Sequence, residues 1–186
     1  FDDADILRAA SFIYERAEAM GMPAVVNLSL GSDFGPHDGT SALEAGLADM
    51  VGPDQPGRAM VVAAGNSGAL YNIDGRGPFG IHTETHVSTN AVSRVPMRAA
   101  GATGEVNGAG FVWVTFRPGD DVSVGLEGPG GETLIGLTSP GNERGHRGDD
   151  IEAGVINNNV SEATNLTADT NGAVVFFSGR WDAQDT

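Results

Sequence analysis

The stretch Ala59-Met60-Val61-Val62-Ala63-Ala64-Gly65-Asn66-Ser67-Gly68 constrains this chain more than any other. From Met60 to Ala64 nothing alternates with polar residues, so the run predicts a strand buried on both faces. The run breaks at Gly65 and places one amide, Asn66, at its C-terminal end. Ligands meet α/β sheets at that end. An Asn held there is a fixed hydrogen-bond donor, which is what a developing oxyanion requires. The other reading of Asn66 is a turn residue that tolerates left-handed geometry ahead of Ser67 and Gly68.

A second apolar run, Ala24 to Leu30, ends in Gly31. Between the two runs lies Ser41 to Met50, where Ser41 and Glu44 fit a capping box. Leu43, Leu47 and Met50 fall on one helical face. Strand, helix and strand in this order predict a right-handed crossover and parallel neighbours.

The order Val-Val-Asn-Leu-Ser-Leu-Gly, Ser-Ala-Leu-Glu-Ala, Val-Val-Ala-Ala-Gly-Asn-Ser-Gly resembles the middle of a subtilisin-like serine protease. The resemblance covers about residues 3 to 68. It implies an α/β parallel-sheet portion of a subtilisin-like fold and a parent reaction of peptide hydrolysis through an acyl-enzyme. It also implies roles for particular residues. Asn66 would be the oxyanion donor. Ser29, Leu30 and Gly31 would pair with substrate backbone as an added strand. Ala63, Ala64 and Gly65 would wall the pocket for the residue before the cut. The family's three triad segments have no counterpart here. His37-Asp38-Gly39-Thr40-Ser41 echoes both the His and the Ser motifs, but Asp38 interrupts the first and Ala42-Leu43 replaces the Met-Ala of the second. Ser41 therefore reads as a helix cap. A nucleophile without its base is weak, so residues 1 to 186 alone are expected to be inactive.

Residues 3 to 20 predict an amphipathic helix carrying Ile6, Ala10, Ile13, Ala17 and Met20 on one face, stopped by Gly21 and Pro23. The character changes after Gly68. Strand signals run through Ile81 to Thr89, Ala109 to Arg117, Asp121 to Glu127, Thr133 to Thr138, Gly154 to Val160 and Ala173 to Arg180. The expected division is a partial protease-like core over 1–80 and an antiparallel, jelly-roll-like β-sandwich insertion over 81–186. Its core would draw on Phe111 or Val112, Phe116, Leu126, Leu134, Ile156 and Phe176 or Phe177. A one-residue slip exchanges the faces, so the adjacent pairs stay open. Trp113 is expected in the core, and Trp181 in the core or on a ligand face.

Charge and composition set the partners. The net charge of −15 opposes nucleic acid and anionic membranes. No apolar run reaches the ~20 residues of a membrane helix. There is no cysteine, so thiolate metal sites and disulfides are excluded. The expected partners are a polypeptide substrate and the remaining protease segments of a longer parent, since the chain lacks an initial Met and opens inside a helix. The family resemblance implies an extracellular setting. No cofactor is expected. Asp120-Asp121 and Asp149-Asp150 carry oxygen ligands of the kind calcium takes, without a calcium-loop spacing. His82, Glu84 and His86 alternate, but on a strand the two histidines stand about 13 Å apart, too far to chelate one ion. Arg147-Gly148-Asp149 spells an adhesion tripeptide in a loop already rich in these residues. The alternative to an enzyme part is a non-catalytic, protein- or glycan-binding β-sandwich attached to a degenerate protease core.

Overall fold

The computed structural model describes residues 2–73, 75–97, 105–159, 166–167 and 170–182. Packing divides the chain into two units. One comprises Phe1–Gly65, Trp113–Asp120 and Asn158–Gly172, and the other Asn66–Val112, Asp121–Asn157 and Ala173–Thr186. Compactness thus does not respect the single boundary expected near residue 80.

The first unit opens with helix α1 (Asp3–Ala19). Asp2 caps its start, accepting from the Asp5 amide at 2.8 Å. At its end Met22 N–H bonds to Ala17 O and Gly21 N–H to Glu18 O, with Gly21 at φ 67°. That is the Schellman arrangement, and it needs a residue free to take positive φ. The buried stripe is Ala10, Tyr14 and Ala17. Ile13 and Met20, expected on that face, are 43% and 55% exposed. The stripe centres on Tyr14 because its hydroxyl reaches Ala59 O at 2.6 Å.

Strand β1 (Ala24–Leu28), helix α2 (Ala42–Ala48) and strand β2 (Arg58–Val62) come next. The two strands pair in parallel, in register from Ala24 opposite Arg58 to Leu28 opposite Val62. Helix α2 is shorter than its sequence pattern, and its capping box is formed: Ser41 Oγ accepts from Glu44 N–H, and the Glu44 carboxylate accepts from Ser41 N–H. A Cβ on Gly46 would stand 2.8 Å from Leu7 Cδ2, so the glycine admits α1 against α2. The expectation of strands buried on both faces is wrong here. Val26 is 5% exposed, but Val25, Val61 and Val62 are 67%, 55% and 57% exposed. Helix α1 covers one face of the two-stranded sheet, with α2 packed against α1, and no described residue buries these three valines.

Burial pushes the Tyr14 phenol above its ordinary pKa, while a backbone hydrogen bond from Val26 and the Arg58 guanidinium, 5.4 Å from the ring centroid, pull the other way. A raised acid pKa means the folded state holds its proton more tightly. Its stabilising contribution is complete below about pH 10 and is lost as pH rises from there through the folded value. Thermal melts across that range are expected to show an alkaline loss in the wild type that Tyr14→Phe lacks. Parallel losses in both proteins would assign the effect to another group.

The second unit carries β3 (Tyr71–Ile73) and β4 (Arg76–Phe79), an antiparallel pair. Residues 81–89, expected as a strand, form neither strand nor helix and are exposed throughout. Ile81 and Val87 are their only apolar members, and they are 64% and 43% exposed. The remaining strands are β5 (Glu105–Thr115), β6 (Val124–Glu127), β7 (Thr133–Thr138), β8 (Asn142–Arg147), β9 (Ile151–Asn157) and β10 (Gly172–Asp182). Four make one sheet, in the order β5-β10-β9-β8, and β6-β7 forms a separate antiparallel hairpin. No described residue after 100 is helical.

The hairpin packs on one face of the sheet. Leu126 and Ile135 meet Ala153, Val155 and Val175, with Val112, Leu134 and Phe177 around them. This settles the register pairs: Val112 and Phe177 join the core, while Phe111 is 48% exposed with its ring 6.2 Å from Phe176. Val155 is fully buried where Ile156 was expected. Leu126 is buried as expected, and Leu134, Phe116 and Trp113 are half-buried. Trp181 lies in β10, where its side chain is outside the described features. Asn157, fully buried, fastens this unit: its amide donates to Val122 O and Thr138 O, both at 2.8 Å.

Candidate functional site

Parallel pairing carries two segments off the sheet at the same end. Leu28 sits opposite Val62, and Ala63 N–H continues the ladder to Leu28 O at 3.0 Å. Ser29–Gly31 therefore leaves beside Ala63–Gly65. Ser29, Leu30 and Gly31 are exposed, and Asn27 Nδ2 donates to Ser29 Oγ at 3.1 Å. Nothing lies within 4 Å of where a Gly31 Cβ would stand. Ala63, Ala64 and Gly65 are exposed too, and their small side chains leave the strand end open. Gly65 takes the left-handed position of this turn, at φ 86°. The next residue, Asn66, is exposed, and it is not among the non-glycine residues with positive φ (His37, Asn90 and Asn158). Left-handed tolerance is thus not what this position asks of Asn66.

The loop from Ser32 to Ser41 links Gly31 to α2. Ser32 Oγ accepts from Phe34 N–H, and Asp38 Oδ1 accepts from Thr40 N–H and, at 2.6 Å, from Thr40 Oγ1. His37 is exposed in this loop at φ 51°. Ser41 Oγ is engaged at the α2 N-terminus, in the capping role its sequence context implies.

The other sequence candidates are not brought together. His82, Glu84 and His86 are exposed and outside any strand. Among the described residues no group of three or more His, Asp and Glu could hold a metal ion. Arg147 ends β8 and pairs with Glu152 at 2.8 Å, and Gly148 N–H closes the turn onto Ile151 O. One feature is not legible in the sequence: an open groove of about 310 Å³ lined by Gly145, His146, Arg147, Glu152, Ala153 and Phe176. Phe176, which lines it, lies across Gly154 and leaves no room for a Cβ there. The signal that could have found it is Gly145 opposite Gly154 on neighbouring strands, but β8 itself carries no strand pattern.

No family model matches this chain, and no curated protein matches it. Among solved structures it is similar to the CspB protease of Clostridium perfringens, at 16% identity and a TM-score of 0.48. The match covers 99% of this chain and 40% of that one, so the chain spans about two fifths of the protease's length. This is a weak likeness to a protease.

Proposed function

We propose that this chain is part of a subtilisin-like serine endopeptidase, contributing the oxyanion donor and the strand that pairs with substrate. One observation supports the reading above others. The parallel, in-register pairing of β1 and β2 across a capped helix sets Ser29–Gly31 beside Ala63–Gly65, with Asn66 next in the chain. An extended peptide pairing with Ser29–Gly31 would present a carbonyl near the strand ends. A donor there stabilises charge that develops only in the transition state. The nucleophile and its base would come from segments outside residues 1–186, and the setting would be extracellular. No cofactor enters the reaction.

The test compares two polypeptides. The longer protein carrying this chain is expected to react with a fluorophosphonate probe and to hydrolyse fluorogenic peptides. Residues 1–186 alone are expected to do neither. Hydrolysis by the 186-residue chain, surviving serine-protease inactivation controls, would refute the division of labour. A longer protein inert to the probe would refute the enzyme reading.

The groove over Gly145 and Phe176, with Phe111 exposed nearby in the same sheet, favours the second reading, a protein- or glycan-binding face on a degenerate protease core. An inert longer protein that still retains a polypeptide or glycan through this face would establish it.

A further inference from the structure

The loop between the candidate substrate strand and α2 is held at two points, both by residues distant in sequence. Near its start, Phe34 meets Trp113 edge to face, with ring centroids 4.8 Å apart. Near its end is a cluster of three threonines. Thr170, 1% exposed, has its Oγ1 at 2.7 Å from Thr40 Oγ1 and 3.2 Å from Thr167 Oγ1, and it accepts from Thr167 N–H at 3.1 Å. Thr167 Oγ1 in turn donates to Thr40 O.

The proton positions in this cluster come from counting. A hydroxyl has one proton to donate, and a carboxylate only accepts. Thr40 gives its proton to Asp38. In the 2.7 Å contact Thr170 must therefore donate and Thr40 accept. Thr170 is then left as an acceptor, and because the Thr167 hydroxyl proton goes to Thr40 O, what Thr170 accepts is the Thr167 N–H. The chain of bonds has one direction, from the Thr167 amide through the Thr170 and Thr40 hydroxyls to the Asp38 carboxylate. Such a relay ends on a charge, the stronger kind of hydrogen bond. Its central member is buried, so removing that hydroxyl strands its partners.

We propose that Thr170 is a positioning residue: through Thr40 and Asp38 it fixes the loop that continues Ser29–Gly31, and so holds the substrate-pairing strand in its binding register. This rests on the reading of Ser29–Gly31 as the substrate strand. The geometry suits the role, because Gly31 is open on its free side while the loop beyond it is anchored from behind. A strand that must accept a partner keeps an open edge, so its position has to be set by the loop that continues from it.

The test uses the 186-residue chain. Thr170→Val keeps the shape and removes the hydroxyl, and Thr170→Ser restores the hydroxyl. Two quantities are read: hydrogen exchange of the amides of residues 29–40, and affinity for a fluorescein-labelled pool of randomised decapeptides. Thr170→Val is expected to speed exchange in that segment selectively and to weaken peptide binding by about 3–30-fold, the range for a residue acting through its neighbours. Thr170→Ser is expected to restore both. Peptide affinity unchanged within about twofold, or exchange accelerated equally in α1 and β6-β7, overturns the proposal. Should Thr170→Val fail to fold, Thr40→Val, at a half-buried position, reads the same two quantities with the same outcomes. A wild-type chain that binds no peptide overturns the substrate-strand reading itself, and this proposal with it.

Discussion

Replacing Asn66 by alanine in the longer protein is expected to lower kcat by about 10²–10³ and to leave KM nearly unchanged. That size is the general effect of removing one donor from an acyl-transfer site. The reason for the split lies in where the charge sits. The ground-state carbonyl is neutral and gains little from the amide, whereas the tetrahedral intermediate carries a full negative oxygen. On the proposed reading Asn66 would be that donor, and it is Gly65, at φ 86°, that takes up the backbone turn before it. Steady-state kinetics of Asn66→Ala and Asn66→Asp decide the matter. Wild-type kcat in the alanine variant would remove Asn66 from the mechanism, and a rise in KM alone would make it a binding residue.

Asn157→Leu is expected to destabilise the chain by about 2–4 kcal/mol. Asn157 is 0% exposed, and its amide satisfies two carbonyls from different segments, Val122 O and Thr138 O. Leucine has the same branching but donates nothing, so both carbonyls lose their partner, the Thr138 one in a buried bond and the Val122 one in a part-buried bond. Part of the cost is offset. Asn157 Oδ1 itself has no partner among the described residues, and leucine removes that burden. Asn157→Asp is expected to be at least as damaging near neutral pH, since it sets carboxylate oxygens against carbonyl oxygens. Urea unfolding of the three proteins measures this. A loss under about 1 kcal/mol for Asn157→Leu would show that water reaches these carbonyls.

Much of the first unit could be read from residues close together in sequence. Ser41 and Glu44 name a helix start, and two apolar runs around that helix name a parallel pair, because each signal is local. What the sequence did not yield depended on distant partners. Tyr14 lies on the same helical stripe as Ala10 and Ala17, yet only the carbonyl of Ala59 makes it the centre of that stripe. The runs around Val25 and Val61 looked doubly buried because apolar content says a residue can be buried, not that a cover is present. In the second unit, Val112 and Phe177 were separable from Phe111 and Phe176 only once the hairpin bearing Leu126 and Ile135 was placed. Strand β8, Asn-Glu-Arg-Gly-His-Arg, carries no apolar alternation at all. It lies at the sheet edge, where charged residues discourage further pairing and no hydrophobic pattern is required. At the candidate site, the positions of Ser29, Ala63 and Asn66 were legible, but the threonines behind them were not. Thr40 and Thr170 are 130 residues apart, and nothing in either neighbourhood points to the other.

That separation bears on how the chain is made. A ribosome adding about 5–20 residues per second needs roughly 6–26 s to go from Thr40 to Thr170. For that interval β1, α2 and β2 can pair, since their contacts are near in sequence, but the Thr40 end of the loop has nothing to close against, and its start has only Trp113 once that residue is made. Ordering it then means closing a very long loop, which slows the search more than it weakens the product. The open strand end would thus be the last part of its unit to set, long after the sheet that carries it.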